Sequence, residues 1–479
     1  MSTSRTAASR GVHARTQAEN PWAWARKRTA QPIPYTFRPL PFKRAHSFSQ
    51  SISKFPTPQP KPYRSPAAGG SPAMAQIPPG PGARAPPSLP SHLMEEILVR
   101  VATPRDLARA SAACATFRRL VADASFLRRY RSLHPPLLLG FIDAPYGFTA
   151  VEAPHPNAPT AGALARAADF SFERLGGRGS GWCHCDARDG RVLLMCYGIT
   201  FEFLLPEFAV WDPLTRGHTL LPPIPNRLVV PSVRIPAWDQ LINCFDAFFV
   251  PSGDYEETQF RVICWAHWVV SVFVYSSLSG TWTAGPTANW DALGLNVYPD
   301  EGMPRLCWSP SYAYGCFYWK VLASNKLLKL EVNTMEFSAV SLPPNHENRQ
   351  SVVVEAAGEG NIGILSHISG QEIPEPLCYS IRQNEGENAN EHVMETTIPL
   401  PSDYDNYRVV AAGEGYIFLL GLRSISQQGT VVLRGGRLAF FTLEIKTLKI
   451  ERVCSIHGGV CGHILPYFGF PTFMSPRRI

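Results

Sequence analysis

The feature that most limits how this chain can fold is a phrase that recurs after Pro136. Val210-Trp211-Asp212-Pro213-Leu214-Thr215 is followed by Leu220-Leu221-Pro222-Pro223, and Val274-Tyr275-Ser276-Ser277-Leu278-Ser279 by Trp282 and Gly285-Pro286. Leu330-Glu331-Val332-Asn333-Thr334 is followed by Leu342-Pro343-Pro344, and Leu443-Glu444-Ile445-Lys446-Thr447 runs into Ile450 to Val453. Each copy reads as a strand, a polar turn ending in Ser or Thr, and a second strand. Aligned on Thr215, Ser279, Thr334 and Thr447, the steps are 64, 55 and 113 residues, the last close to two steps. A further copy therefore falls near residue 390, where the polar stretch 384–390 precedes Thr396 to Pro401.

Short Val-, Leu- and aromatic-rich runs separated by Gly, Pro, Asn and Asp fill the same region. Val192 to Cys196, Phe260 to Trp265 and Gly415 to Leu422 are examples, and Phe317 to Leu322 with Leu327 to Val332 reads as a hairpin. The signature is all-β. A unit of four short strands cannot bury both faces alone, so units of this period stack around an axis as a β-propeller. The span 137–470 accommodates six blades, with a pair of β-sandwiches as the alternative. The fold class expected is mainly β with a small α-helical N-terminal domain.

That helical domain is residues 86–135. After Leu89-Pro90, apolar side chains at Leu93, Ile97 and Val101 make one stripe at helical spacing, with Met94 and Leu98 beside it and Glu95, Glu96 and Arg100 opposite. Thr103-Pro104-Arg105-Asp106 signals a second start, with Thr103 as N-cap, Pro104 in the first turn and Asp106 at the positive helix end. Leu107, Ala110, Cys114, Phe117 and Val121 continue it at spacings of three and four. Asp123 caps a short third helix carrying Phe126, Leu127 and Tyr130, which His134-Pro135-Pro136 ends. So short a unit seldom buries enough apolar surface to offset its ordering entropy, so its stripes imply packing on the rest of the chain or on a partner.

Leu89-Pro90, Ile97-Leu98, Asp106-Leu107 and Cys114 resemble, in order and spacing, the motif of an F-box. Ala113 stands where that family prefers Val, Phe117 where it prefers Trp, and Ala115-Thr116 where a Lys is usual. Phe117 keeps the large ring and loses the indole donor. The repeats resemble the kelch-like or F-box-associated propellers that follow F-boxes in plant proteins, above all in the Asp-Pro-x-Thr and Leu-Pro-Pro phrases. The resemblance implies a non-catalytic substrate adaptor of an SCF-type (cullin–RING) ubiquitin ligase. Leu89, Pro90, Ile97, Leu98, Leu107, Cys114 and Phe117 would then bind a Skp-type adaptor and, through it, a cullin. The propeller would bind the target protein.

Residues 1–85 carry thirteen Lys and Arg against the single acid Glu19, which is +12 of the whole chain's +7 and leaves the remainder at −5. The folded part is mildly acidic, so a basic nucleic-acid groove is not expected. The segment is rich in Pro, Ser, Ala and Gly, has no sustained apolar period and reads as a disordered extension. Three explanations stay open: an organelle transit peptide, a solvated basic tail, or an untranslated lead with Met74 as the start. A nuclear and cytoplasmic location follows from the implied ligase, and a plastid one from a genuine transit peptide. Residues 471–479 read as a tail.

No stretch reaches the length of a membrane helix, since even Ile263 to Tyr275 is interrupted by His267 and Ser271. Eleven scattered cysteines without a CxxC pair read as reduced thiols. Cys183-His184-Cys185, and Cys454 with Cys461 and His463, lack zinc-finger spacing and read as strand residues, so no metal or cofactor is expected. The run 176–181 is glycine-rich but matches no phosphate-binding or nucleophile-elbow pattern. His267 and His367 lie in strand-like runs and read as satisfied core groups. Trp238, Trp290, Tyr298, Tyr404 and Tyr407 fall in loop-like stretches and are the candidate target-binding aromatics, with inter-blade packing as the competing role. A propeller scaffold outside any ligase, and a propeller enzyme, are the rival functions.

Overall fold

The computed structural model describes residues 89–143, 147–176, 181–196, 205–228, 245–251, 259–266, 270–295, 310–356, 360–368, 375–383, 392–427, 430–457 and 463–471. Four helices open this range: α1 (Ser91–Leu98), α2 (Pro104–Ala113), α3 (Ala115–Val121) and α4 (Ala124–Leu133). The sequence pattern predicts three. The expected middle helix divides because Cys114 is fully extended (φ −153°, ψ 160°) and caps α3, its Sγ accepting the Phe117 N–H at 3.4 Å. Pro90 likewise precedes α1 as its cap, with extended ψ 145°, instead of entering the first turn.

The other caps lie where the residue types place them. Thr103 Oγ1 accepts the Asp106 N–H at 3.1 Å and donates to the Asp106 carboxylate at 2.7 Å, with Arg109 donating to the same group at 2.9 Å. These bonds hold the Asp106 carboxyl below the usual carboxylate range, the Thr103 bond contributing most. Asp123 Oδ1 accepts the Ser125 N–H at 2.8 Å and opens α4. Leu98, Val99, Leu107, Val121, Phe126, Leu127 and Tyr130 form the helical core. Tyr130 donates to the Val101 carbonyl at 2.8 Å, and the His134 ring, stacked on Tyr130 at 4.1 Å, meets the Val99 carbonyl at 2.7 Å. Thr103→Ala removes one cap and is expected to cost the unit about 1 kcal/mol. Amide exchange in α2 should quicken by roughly fivefold while propeller amides keep their rates, and unchanged α2 exchange would contradict it.

Six antiparallel sheets follow. β1 (Leu137–Asp143) and β2 (Gly147–Ala150) come first, then α5 (Ala158–Ala167). Next are four-stranded sheets of β3 (Cys183–Arg188), β4 (Arg191–Cys196), β5 (Glu207–Asp212) and β6 (Gly217–Leu220), and of β7 (Phe245–Phe249), β8 (Arg261–Ala266), β9 (Val270–Ser276) and β10 (Thr281–Ala288). The third holds β11 (Ser311–Ala313), β12 (Cys316–Lys320), β13 (Lys326–Glu331) and β14 (Glu336–Ser341), and the fourth β15 (Gln350–Glu355), β16 (Asn361–His367), β17 (Leu377–Gln383) and β18 (His392–Ile398). The fifth holds β19 (Asn406–Gly413), β20 (Tyr416–Gln427), β21 (Thr430–Glu444) and β22 (Lys449–His457). The last strand, β23 (Ile464–Gly469), returns to pair with β1, so the sixth sheet is ordered β2-β1-β23 and draws on both ends of the folded region. This is a six-bladed propeller, and the sandwich alternative is set aside.

β23 approaches β3, β3 approaches β7, β11 approaches β15, β15 approaches β19, and β19 approaches β23, so the first strand of a four-stranded blade, and β23 in the closing blade, line the axis. Neighbouring blades cover both faces of a middle strand, which explains its unbroken apolar reading: β4 is buried at all six positions. Outer strands face water on one side and alternate, as β6 does. The recurring sequence phrase is the turn joining third to fourth strand. It lies between β5 and β6, β9 and β10, β13 and β14, and β21 and β22, with left-handed residues at Arg216, Gly280, Met335 and Leu448. Asp212 shows why an acid suits it: Oδ1 accepts the N–H groups of Leu214 and Thr215 at 2.9 and 3.2 Å. The copy expected near 390 falls between β17 and β18, outside the described residues.

Candidate functional site

The helical unit presents an apolar stripe. Leu93 and Ile97 lie one turn apart on α1 and are 44% and 58% exposed, and Leu89, just ahead of the Pro90 cap, is 47% exposed and extends the apolar stripe. Their neighbours turn the other way: Leu98 and Leu107 lie in the helical core, Leu107 with no exposed surface. These two therefore hold the helices together, a correction to their expected place on a partner-facing surface. Pro90 and Cys114 are exposed, and Phe117 is half-buried against the helical core. Leu93 was legible as part of the stripe but not as a contact residue, because spacing alone does not tell which half of an apolar face meets the core.

Arg129 of α4 pairs with Glu96 of α1 at 2.6 Å and lies 3.9 Å from Glu95, tying the two helices together beside the stripe. Such half-exposed pairs contribute geometry more than stability. Residues 89–134 carry eight arginines against four acids, so the helical unit as a whole is positive.

The expected target-binding aromatics are placed differently. Trp238 and Tyr298 lie outside the described residues. Trp290 is buried beside Trp265, their rings 6.3 Å apart. Tyr404 and Tyr407 are buried against Phe441 at 5.2 and 5.5 Å, and Tyr407 donates to the Pro401 carbonyl at 2.7 Å. Burial pushes the Tyr407 hydroxyl well above its usual range. Trp290 and Tyr404 sit on inter-blade connections and Tyr407 near the start of β19, and all three rings pack into the apolar core, so a loop-like sequence setting is a poor guide to exposure. Gly421 makes room for this, since a Cβ there would lie 2.7 Å from the Phe441 ring and 3.1 Å from that of Tyr404.

The propeller axis carries polar groups that no local motif announced. Asp186 on β3 accepts the Phe249 N–H of β7 at 2.8 Å. Ser311 on β11 accepts the Val353 N–H of β15 at 2.9 Å, and Gln350 on β15 accepts the Val409 N–H of β19 at 3.1 Å. His184 reaches the His463 carbonyl at 2.8 Å, beside β23. These bonds tie β3 to β7, β11 to β15, β15 to β19 and β3 to the start of β23, and are structural in kind. Burial lowers the His463 imidazole, with Asp246 opposing it and Arg408 adding to it. Farther along, where the inner strands end, burial raises the Glu414 carboxyl while Arg188 opposes it, and Arg188 stands 5.9 Å from the Tyr312 ring centre. The axis thus mixes both charges.

Burial raises the Cys185 thiol well above its usual range and raises that of Cys183 as well. Cys461 and His267 lie outside the described residues, and His367 bonds the Tyr407 carbonyl at 3.0 Å. Among the described residues no three His, Cys, Asp or Glu side chains converge to hold a metal ion, and all eight described cysteines are free thiols. No described helix is long and apolar enough to cross a membrane.

No family model matches the chain. Over 135 residues, 28% of this chain and 33% of the other, it is 28% identical to an Arabidopsis thaliana protein named "Putative F-box protein". The match thus spans about a third of that relative's length. Among solved structures, the WD40 domain of SCAP from fission yeast is 12% identical, with a TM-score of 0.29 over 61% of this chain and 74% of that one. An exo-β-1,3-galactanase from Clostridium thermocellum is 12% identical, with a TM-score of 0.30 over 61% and 65%. Scores this low carry no argument, and the six sheets establish the fold by themselves. The relative and the propeller fit an F-box/propeller protein.

Proposed function

We propose that this chain is the target-holding adaptor of an SCF-type (cullin–RING) ubiquitin ligase. α1 to α4 act as the F-box and dock a Skp-type adaptor, which connects to a cullin. The propeller, of a kelch-like or F-box-associated type, holds a target protein. The chain itself performs no chemistry. It raises the local concentration of target lysines beside a ubiquitin-loaded enzyme carried by other subunits. A nuclear and cytoplasmic location goes with this reading.

The observation that carries the proposal is the exposure of Leu93 and Ile97 on α1, and of Leu89 just before it, while Leu98 of the same helix is spent on the helical core. A helical cap built only to cover its own propeller would bury that stripe. Large apolar side chains one turn apart on an exposed helix face are the form in which a helix enters a partner's groove. Phe117, half-buried, would support the stripe from behind.

Binding of a purified Skp-type adaptor to the full chain tests this. Ile97→Ala is expected to weaken binding by about 1.5 kcal/mol, roughly tenfold, and Leu93→Ala/Ile97→Ala by considerably more. Leu278→Ala, at a 76% exposed position on the β9–β10 turn, should bind as the parent does. Equal affinity for parent and stripe variants, or no binding by a well-folded parent, would sink the adaptor reading.

A further inference from the structure

Among the described residues, two points on one blade fasten the helical unit to the propeller. The first is covalent. His134 closes α4, its ring stacked on Tyr130 and bonded to the Val99 carbonyl, and only Pro135 and Pro136 separate it from β1. Two successive prolines fix φ and leave the connection little freedom. The second is a side chain from the far end of the folded region. β1 and β23 are antiparallel, with Leu137 opposite Gly469, so the residue after β23 emerges beside the residue before β1. That residue is Phe470, and its ring packs against the helical core of Leu98, Val99, Leu107, Val121, Phe126, Leu127 and Tyr130. Among the described residues it is the one member of that cluster from outside residues 89–134.

We infer that Phe470 is a positioning residue that fixes the attitude of the helical unit on the propeller. A body held by a single short tether swivels about it, whereas a second contact off the tether axis removes the swivel. Phe470 supplies that contact because strand pairing delivers both chain ends to the same edge of the closing blade. Its effect is to keep the Leu89–Leu93–Ile97 stripe at one angle to the propeller axis. The consequence for ubiquitin transfer rests on the adaptor reading, since a constant angle sets how far a held target stands from the conjugating enzyme. The fixed attitude itself does not rest on it.

The full chain carries the test, with genetically encoded azido residues at Ser132 and Leu278 labelled for single-molecule energy transfer, leaving native thiols untouched. The parent is expected to give one narrow distance distribution. Phe470→Ala should broaden it at least twofold while the thermal midpoint and Skp-type adaptor binding stay as in the parent, and Phe470→Leu should restore most of the narrowing. In a reconstituted ligase, Phe470→Ala should slow transfer without weakening either binding step. A narrow distribution in Phe470→Ala, or a broad one in the parent, overturns the inference. Failure of the parent to bind the Skp-type adaptor defeats the adaptor reading and leaves the energy-transfer result standing.

Discussion

A chain ending at His463 is expected to lose its cooperative fold. The truncation removes β23, the inner strand of the closing blade, and leaves β1 and β2 as a two-stranded ribbon, which is marginal alone. It also strips Ile464, Leu465, Tyr467 and Phe468 from the largest apolar cluster, where Phe148 and Phe170 meet the Tyr467 ring at 5.8 and 5.2 Å and Phe418 meets Phe468 at 5.8 Å. Losing one such buried side chain costs about 2–5 kcal/mol, so losing four is as large as the roughly 5–15 kcal/mol that holds a domain together. The Tyr467 hydroxyl, which donates to the Gly190 carbonyl at 2.9 Å, goes with them and unties the seam to the next blade. Near-ultraviolet circular dichroism and thermal unfolding decide the matter against a chain ending at Pro471. The longer chain should show a sigmoidal transition and the shorter none. A cooperative transition at the parent temperature in the shorter chain would mean that five blades suffice.

That dependence also explains what could be read from the sequence. The third-to-fourth-strand turn is local: Asp212, Thr215 and a left-handed residue at Arg216 lie within five positions, so the phrase survives in four of the blades and betrays the period. Middle strands such as β4, β8 and β12 are buried on both sides and announce themselves as unbroken apolar runs. Helix starts are equally local, and Thr103 and Asp123 serve as the caps that their residue types suggest.

Other features depend on residues far apart in sequence and left no local trace. Pairing of β1 with β23 joins Asp143 to Ile464, and nothing in either segment names the other. The bonds between inner strands, such as Asp186 with Phe249 and Gln350 with Val409, are likewise long-range. The candidate docking residues were half legible for a related reason. Leu89, Ile97, Leu98 and Leu107 are all apolar and all at helical spacing, and only packing separates the two that face outward from the two that face inward. Tyr404 and Tyr407 illustrate the opposite error, since a polar setting beside Asp403 and Asp405 surrounds rings that lie in a seam.

The closing blade carries one more cost that experiment can read. Asp143 ends β1, is 1% exposed, and neither carboxylate oxygen has a hydrogen-bond partner among the described residues. Strand alternation puts it on the same face as Phe141, which stacks on Phe440 at 3.9 Å, so it faces the β19–β22 blade. Burial pushes its carboxyl up to about 6, and the Arg408 charge on β19 opposes that without reversing it. The folded protein thus holds this proton more tightly than the unfolded chain does. The penalty is therefore present in full above pH 6, shrinks as the pH falls through that value, and vanishes below the ordinary carboxylate range near 4. A rise of about two pKa units corresponds to roughly 2–3 kcal/mol at pH 8. Asp143→Asn removes the charge but leaves an amide to be satisfied, so a gain of about 1–2 kcal/mol is expected at pH 8 and almost none at pH 4.5. Chemical denaturation of parent and variant at both pH values measures the difference directly. An equal gain at the two pH values would mean that the charge is not what the seam resists, and a loss at pH 8 would mean that Arg408 pairs with Asp143 strongly enough to make the acid a stabilising member of the closure.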